Sequence, residues 1–188
     1  MTENLNYNRD CANTTWVTNT DTAWCGCYNN SSTLCDTYGK LYQWSAAMNN
    51  NTSTTQGVCP DGWHIPTDTE WTVLTDYINS NIGYRCNGTN SYIAKSLAST
   101  YGWVVNTTTC AIGNNQFTNN SSGFNALPAG NRYGDGNFRY LSYHTLWWSS
   151  SIIDGVPIDR YISLHLPHVG RKVYYYFTYA LSVRCIKD

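Results

Sequence analysis

The sequence predicts an α+β domain stapled by disulfides. Helical patterns occupy its first half, short antiparallel strands fill its second half, and eight cysteines run through 188 residues. The clearest helix starts after the turn Pro60-Asp61-Gly62, where proline presets one backbone angle and glycine supplies the positive one. Thr67 and Glu70 are spaced as a capping box. Trp71, Leu74 and Ile78 then share one face of a helix running from about Asp68 to Ser80, with Gly83 placed to end it. An earlier helix of at most three turns is expected over residues 41–48, where Leu41, Trp44, Ala47 and Met48 recur at helical spacing.

The strands are read from alternation. Leu181, Val183 and Cys185 alternate with Ser182 and Arg184 in the closing stretch, the pattern of a half-buried strand. In residues 160–166, Ile162, Leu164 and Leu166 take one face, while Tyr161, Ser163 and His165 take the other. Residues 138–141 and 145–150 read as further strands, Asp154-Gly155 as a turn, and Gly170 as another. Weaker strand signals lie at residues 14–18 and 103–105, and in a segment from Phe124 through Leu127 into Pro128. A short helix is expected within residues 91–99, with Ile93, Ala94 and Leu97 inward. Trp147, Trp148, Leu164, Leu166, Leu181 and Val183 are assigned to the core.

One domain spanning 1–188 is the default for this length. Net charge is −1 and charged residues make up 12%, which excludes a nucleic-acid surface built from clustered Lys and Arg. No apolar run reaches the length of a membrane span, and no secretory leader is recognisable. The cysteines place the chain instead. They are even in number and lack repeated CxxC pairs, so they read as a disulfide framework of an extracellular or cell-surface protein rather than as zinc ligands. The stretches around the turn and at the tail carry one cysteine each, and Cys59 is paired with Cys185. Asn, Thr, Ser and Tyr are abundant, and sequons occur at Asn13, Asn30, Asn51, Asn87, Asn106 and Asn120.

Five pieces in order, GKLYQWSAAMN, WHIPTDTEW, GFNALPAGNR, LWWSSS and LSVRCIKD, make the chain resemble the Fibrobacter succinogenes major paralogous domain over nearly its whole length. The resemblance implies a C-type lectin-like fold of the formylglycine-generating-enzyme type. It implies that Cys27 pairs with Cys35, and that His64 is a hydrogen-bonded structural histidine. Of the remaining cysteines, Cys11 with Cys25 and Cys86 with Cys110 give the shorter loops, although spacing does not fix connectivity. The resemblance extends to variable proteins of diversity-generating retroelements, which carry a hypervariable ligand-binding surface in the C-terminal part.

Residues 131–179 fit such a surface. Retroelement mutagenesis at template adenines turns asparagine codons into Tyr, His, Asp, Ser, Ile and Asn, and this stretch is dense in that set. Tyrosine offers a large contact area for little lost side-chain entropy, and small polar residues add adaptable hydrogen bonds. The expected ligand face is Asn131, Tyr133, Asp135, Asn137, Arg139, Tyr143, His144, Ile152, Ile153, Asp154, Tyr161, His165, His168, Arg171, Tyr174, Tyr176 and Tyr179, with Tyr140 and Tyr175 in the same stretches. The expected partner is a protein or glycan, bound without cofactor or metal. His165 and His168 are separated by Pro167, which breaks regular ligand spacing, and residues 147–151 hold none of the acids of a calcium-dependent lectin. Catalysis is not expected: GxSxG, HExxH and Gly-rich phosphate loops are absent, and the only glutamates are Glu3 and Glu70. The competing reading is a structural or adhesive surface domain without a pocket.

Overall fold

A computed structural model describes residues 1–6, 14–173 and 177–188. Its core is a sheet whose strands follow the order β1 (Cys25–Gly26), β2 (Leu41–Gln43), β9 (Ala180–Ser182), β6 (His144–Ile153), β7 (Val156–Ser163) and β8 (Gly170–Val173). The small hairpin of β4 (Asn131–Arg132) and β5 (Phe138–Arg139) hangs from β9. All pairings in this sheet are antiparallel except β9 with β6, where Ser182 lies beside Trp147. The longest unit is the β6–β7 hairpin, and its Asp154-Gly155 turn has φ of +51° and +77°, the two positive angles that match the twist of paired strands.

The expected helix is α3 (Asp68–Ser80). Thr67 Oγ1 accepts from the Glu70 amide at 3.2 Å, and Glu70 Oε2 accepts from the Thr67 amide at 2.8 Å. Trp71 and Ile78 are buried and Leu74 is partly so. The helix ends at Asn81, before Gly83, whose amide donates instead to Asn81 Oδ1 in a following 3-10 turn. The LWWSSS segment docks the start of α3. Residues 149–151 lie where the β6–β7 register shifts. Ser151 Oγ accepts from the Asp68 amide at 3.0 Å, and the Ser150 amide donates to Pro66 O at 3.0 Å.

The tail closes the frame. Cys59 and Cys185 are bonded with Cα atoms 5.9 Å apart. β10 (Ile186–Lys187) pairs with β3 (Trp63–His64), and the Leu5 amide donates to Val183 O. Ser182 and Arg184 are buried along with Leu181 and Val183. The closing stretch is therefore covered on both faces rather than one, and its alternation separates two packed layers instead of core from solvent. Cys27 with Cys35 and Cys86 with Cys110 are bonded as expected. The pairing of Cys25 with Cys11 falls on Cys11, outside the described residues. The three disulfides among the described residues are consistent with a secreted or extracellular domain. No helix among the described residues is long and apolar enough to cross a membrane.

Several local expectations give way to long-range pairing. Residues 41–48 split into strand β2 and a single helical turn, α2 (Trp44–Ala47). Leu41, Tyr42 and Gln43 are all buried between β1 and β9, so their apparent helical period reflects burial on every side. Gln43 carries the pairing outward: Oε1 accepts from the Thr22 and Trp24 amides, each at 2.9 Å, and Nε2 donates to Thr20 O and Thr178 O. Residues 14–18 form no strand. Trp16 is held through its ring instead, edge-on to Trp24 at 5.1 Å and under the Arg132 guanidinium at 4.1 Å. Residues 103–105 are not a strand either, because the Gln116 side-chain amide takes the place of a neighbouring backbone at Trp103. Residues 124–127 contribute one bridge, Ala126 to Ala98. The short fourth helix is α4 (Ala94–Leu97), with Ile93, Ala94 and Leu97 buried. Helix α1 (Ser32–Tyr38) begins inside the loop closed by Cys27 and Cys35 and carries Cys35 itself; its polar sequence shows no apolar period that would announce it. Leu166 is only half-buried, not core.

Candidate functional site

Side chains alternate across a strand, so the long hairpin has two faces. Trp147, Ile162 and Leu164 pack towards α3, where Trp71 stacks on Trp147 with centroids 5.6 Å apart. On the other face the register places His144 opposite Ser163 and Leu146 opposite Tyr161. Here lies a cleft of about 260 Å³, walled by Asn131, Tyr133, Tyr140, His144, Tyr161 and Lys172, with Leu146, Ser163 and Leu166 completing it.

A ladder of rings forms one wall. Tyr179 lies 4.5 Å from Tyr133, Tyr133 lies 6.1 Å from Tyr140, and Tyr140 stacks on His144 at 4.7 Å and 13°. The Arg139 guanidinium covers Tyr133 at 4.4 Å and pairs with Asp135 at 2.6 Å. Tyr140 and Ser142 adopt φ of +64° and +69°, angles costly for non-glycine residues that aim the turn between β5 and β6 into the cleft. Gly170 is needed on the opposite wall: a Cβ there would lie 2.1 Å from the Tyr161 ring.

The cleft is polar without being charged at its base. Burial, then the hydrogen bond and charge of Tyr140, push the Tyr133 hydroxyl up to about 12, so it keeps its proton. Burial and the neighbouring His165 hold His144 below the ordinary imidazole range, which favours a neutral ring. Ser163 Oγ lies 3.3 Å from His144 Nε2. Asn131 is 2% exposed, and its Oδ1 is buried without a hydrogen-bond partner. An unsatisfied amide oxygen among tyrosine rings, hydroxyls and an ammonium group can take a donor from a bound molecule. The Ser163–His144 contact sets a hydroxyl beside an imidazole on the cleft wall.

Of the sequence-predicted face, Asn131, Tyr133, His144 and Tyr161 line this cleft, and Tyr179 extends its ring ladder. Asp135, Asn137, Arg139 and the exposed Tyr143 flank it on the β4–β5 hairpin and the following turn. Ile152, Ile153 and Asp154 sit at the other end of the β6–β7 hairpin, about 30 Å along ten residues of strand. Ile152 and Ile153 are exposed there. Arg171 lies on the α3 face, where it and Arg160 share Asp68. His168 lies beside α3 near Asn79 and Ser91, and exposed His165 meets Asn106 at 3.0 Å. Tyr174 and Tyr176 lie outside the described residues, as does Tyr175. Lys172, Ser163 and Leu146 were missed as cleft residues. Their membership depends on strand register, which leaves no local signal in the chain.

Comparison with known proteins gives one family: the model of the Fibrobacter succinogenes major domain matches residues 1–187. No curated protein and no solved structure matches the chain.

Proposed function

Because the chain belongs to the Fibrobacter succinogenes major domain family, we propose that it is a ligand-binding module of the cell surface or of a secreted protein. It binds rather than catalyses, on a frame of the C-type lectin-like kind. The cleft between the β4–β5 hairpin and the β6–β8 strands is its ligand site. The observation carrying this reading is the ring ladder of Tyr179, Tyr133, Tyr140 and His144 beside the unpartnered oxygen of buried Asn131. Aromatic faces and an unpartnered acceptor suit a protein loop or a glycan, and neither requires a metal.

The site belongs to a face diversified by a retroelement. Support comes from six of the nine cleft residues, Asn131, Tyr133, Tyr140, His144, Tyr161 and Ser163, whose types fall within the outcomes of adenine mutagenesis at asparagine codons; Lys172, Leu146 and Leu166 do not. The frame beneath them is fixed by the tail disulfide and the docked serines of LWWSSS. Two measurements test the proposal. The gene is compared with a neighbouring template repeat beside a reverse transcriptase, where substitutions confined to template adenines are expected. The purified chain and its Tyr133→Ala and Tyr161→Ala variants are screened against arrayed glycans and surface proteins. Binding is expected to fall at least tenfold in the variants, with the urea midpoint little changed. Variants that unfold without a selective loss of binding would instead favour the structural, pocket-free domain.

A further inference from the structure

On the α3 side of the sheet, away from the cleft, Arg184 and Trp71 share a second cavity. Its volume is about 220 Å³, and its apolar wall comes from Pro66, Leu74 and Phe124. Arg184 is 3% exposed and Trp71 is 4% exposed. The Arg184 guanidinium lies 4.1 Å over Phe124 and 5.7 Å from Trp147. Its Nη1 donates to Phe124 O, and Nη2 reaches Asn125 O at 3.4 Å. Two N–H groups remain unused: Arg184 Nε and Trp71 Nε1 are both buried without a hydrogen-bond partner.

The charge is as incomplete as the hydrogen bonding. Among the described residues Arg184 forms no ion pair. Glu70, on the cavity wall, is committed elsewhere: Oε2 to the Thr67 amide and hydroxyl, Oε1 to His64 at 2.9 Å. Glu3 acts on Arg184 only through space. Burial pulls the guanidinium down to about 9, so the group is still cationic at neutral pH. An uncompensated buried cation costs several kcal/mol, and each orphaned donor adds to that cost. Two backbone carbonyls and two rings offset part of it. A carboxylate would complete the set, since it accepts from two donors at once and brings the missing negative charge.

We propose that this cavity is a binding site for a small monocarboxylate with a short apolar tail. Its carboxylate accepts from Arg184 Nε and Trp71 Nε1, and its tail lies along Leu74, Phe124 and Pro66. At roughly 30 Å³ for each water-sized group, the cavity holds seven or so non-hydrogen atoms, the size of butyrate to hexanoate. The site is independent of the ligand cleft, being built from other residues on the opposite sheet face.

The test is two-dimensional NMR of the ¹⁵N-labelled chain, with the Trp71 indole N–H assigned by its disappearance in Trp71→Phe. Hexanoate is expected to shift that resonance saturably, while hexanol, hexylamine and inorganic sulfate are not. Trp71→Phe keeps the aromatic stack and loses one donor. Followed through the backbone amides of Leu74 and Phe124, hexanoate binding should weaken about tenfold in that variant, the worth of one hydrogen bond to a charged group. Arg184→Met should remove the preference for hexanoate over hexanol. The proposal is overturned if hexanoate leaves the indole resonance unmoved, so that water alone fills the cavity. Equal shifts from hexanol and hexanoate also overturn it, as does undiminished hexanoate affinity in Trp71→Phe.

Discussion

Replacing both Cys59 and Cys185 by alanine should cost more stability than removing either of the other two disulfides among the described residues. The bond spans 126 positions, of which the Cys86–Cys110 bond already spans 24, leaving an effective loop of about 100 residues. The chain-entropy model assigns such a loop about 4.7 kcal/mol at 25 °C. The same relation gives about 3.4 kcal/mol for the 24-position Cys86–Cys110 loop and about 2.5 kcal/mol for the 8-position Cys27–Cys35 loop. Both Cys59 and Cys185 are 1% exposed, so the lost sulfur contacts add to the entropic term. A domain of this size is stable by about 5–15 kcal/mol, so the Cys59/Cys185 variant sits near its unfolding threshold at room temperature. The native tail keeps other anchors: the pairing of Ile186 with His64, the Asp188 amide on Gly62 O, and His64 on the Asp188 side chain. The variant is therefore expected to fold, with a lowered midpoint. Urea unfolding of the three double-alanine variants, held oxidised, reads the order directly. A Cys59/Cys185 variant no less stable than the Cys27/Cys35 variant would refute tail closure as the main constraint on the frame.

Two further predictions concern protons. Burial opposes charge on His64, but its hydrogen bonds to Asp188 at 2.5 Å and Glu70 at 2.9 Å, with their charges, outweigh that and raise its pKa. The charged imidazole then stabilises the fold fully below about pH 6.5, and the contribution fades as pH rises through the raised native value. The Glu70 carboxyl is held low despite burial, by Thr67 and His64, so its share is present above the ordinary carboxylate range and fades in acid. His64→Gln should flatten the alkaline limb of the urea-midpoint profile while leaving binding at the cleft unchanged; an identical slope in both proteins would contradict the reading. Asp159 is buried with neither oxygen hydrogen-bonded, and burial pushes its carboxyl up to about 8 against the pull of Lys172 and Arg160. The folded state then holds a proton that the unfolded chain releases, and stability falls as pH rises from about 4 to 8. Asp159→Asn keeps the shape and removes the titration, so its advantage over the parent should grow across that window. A variant equally destabilised at pH 5 and pH 8 would mean that the carboxylate is already ionised at pH 5, against this reading.

The features readable from the chain are those set within a few residues. The Thr67–Glu70 box, the Pro60-Asp61-Gly62 turn with Gly62 at φ +77°, and the Asp154-Gly155 hairpin are local stereochemistry, and each stands where its residues placed it. The family motifs carried further, to Cys27 with Cys35 and to His64 between two carboxylates. The candidate site was readable only as a stretch rich in the right side chains. Four of its members meet in one cleft, while Ile152 and Arg171, equally good by composition, do not. Which residues share a face follows from register, and register is fixed by pairings between segments far apart in the chain. Leu41–Gln43 became a strand because β1 and β9 flank it, and Lys172 entered the cleft because it lies opposite Asp159. Short-range chemistry names turns and caps at low entropic cost. Strand neighbours and the two faces of a sheet are chosen by long-range burial, which no window of a few residues contains.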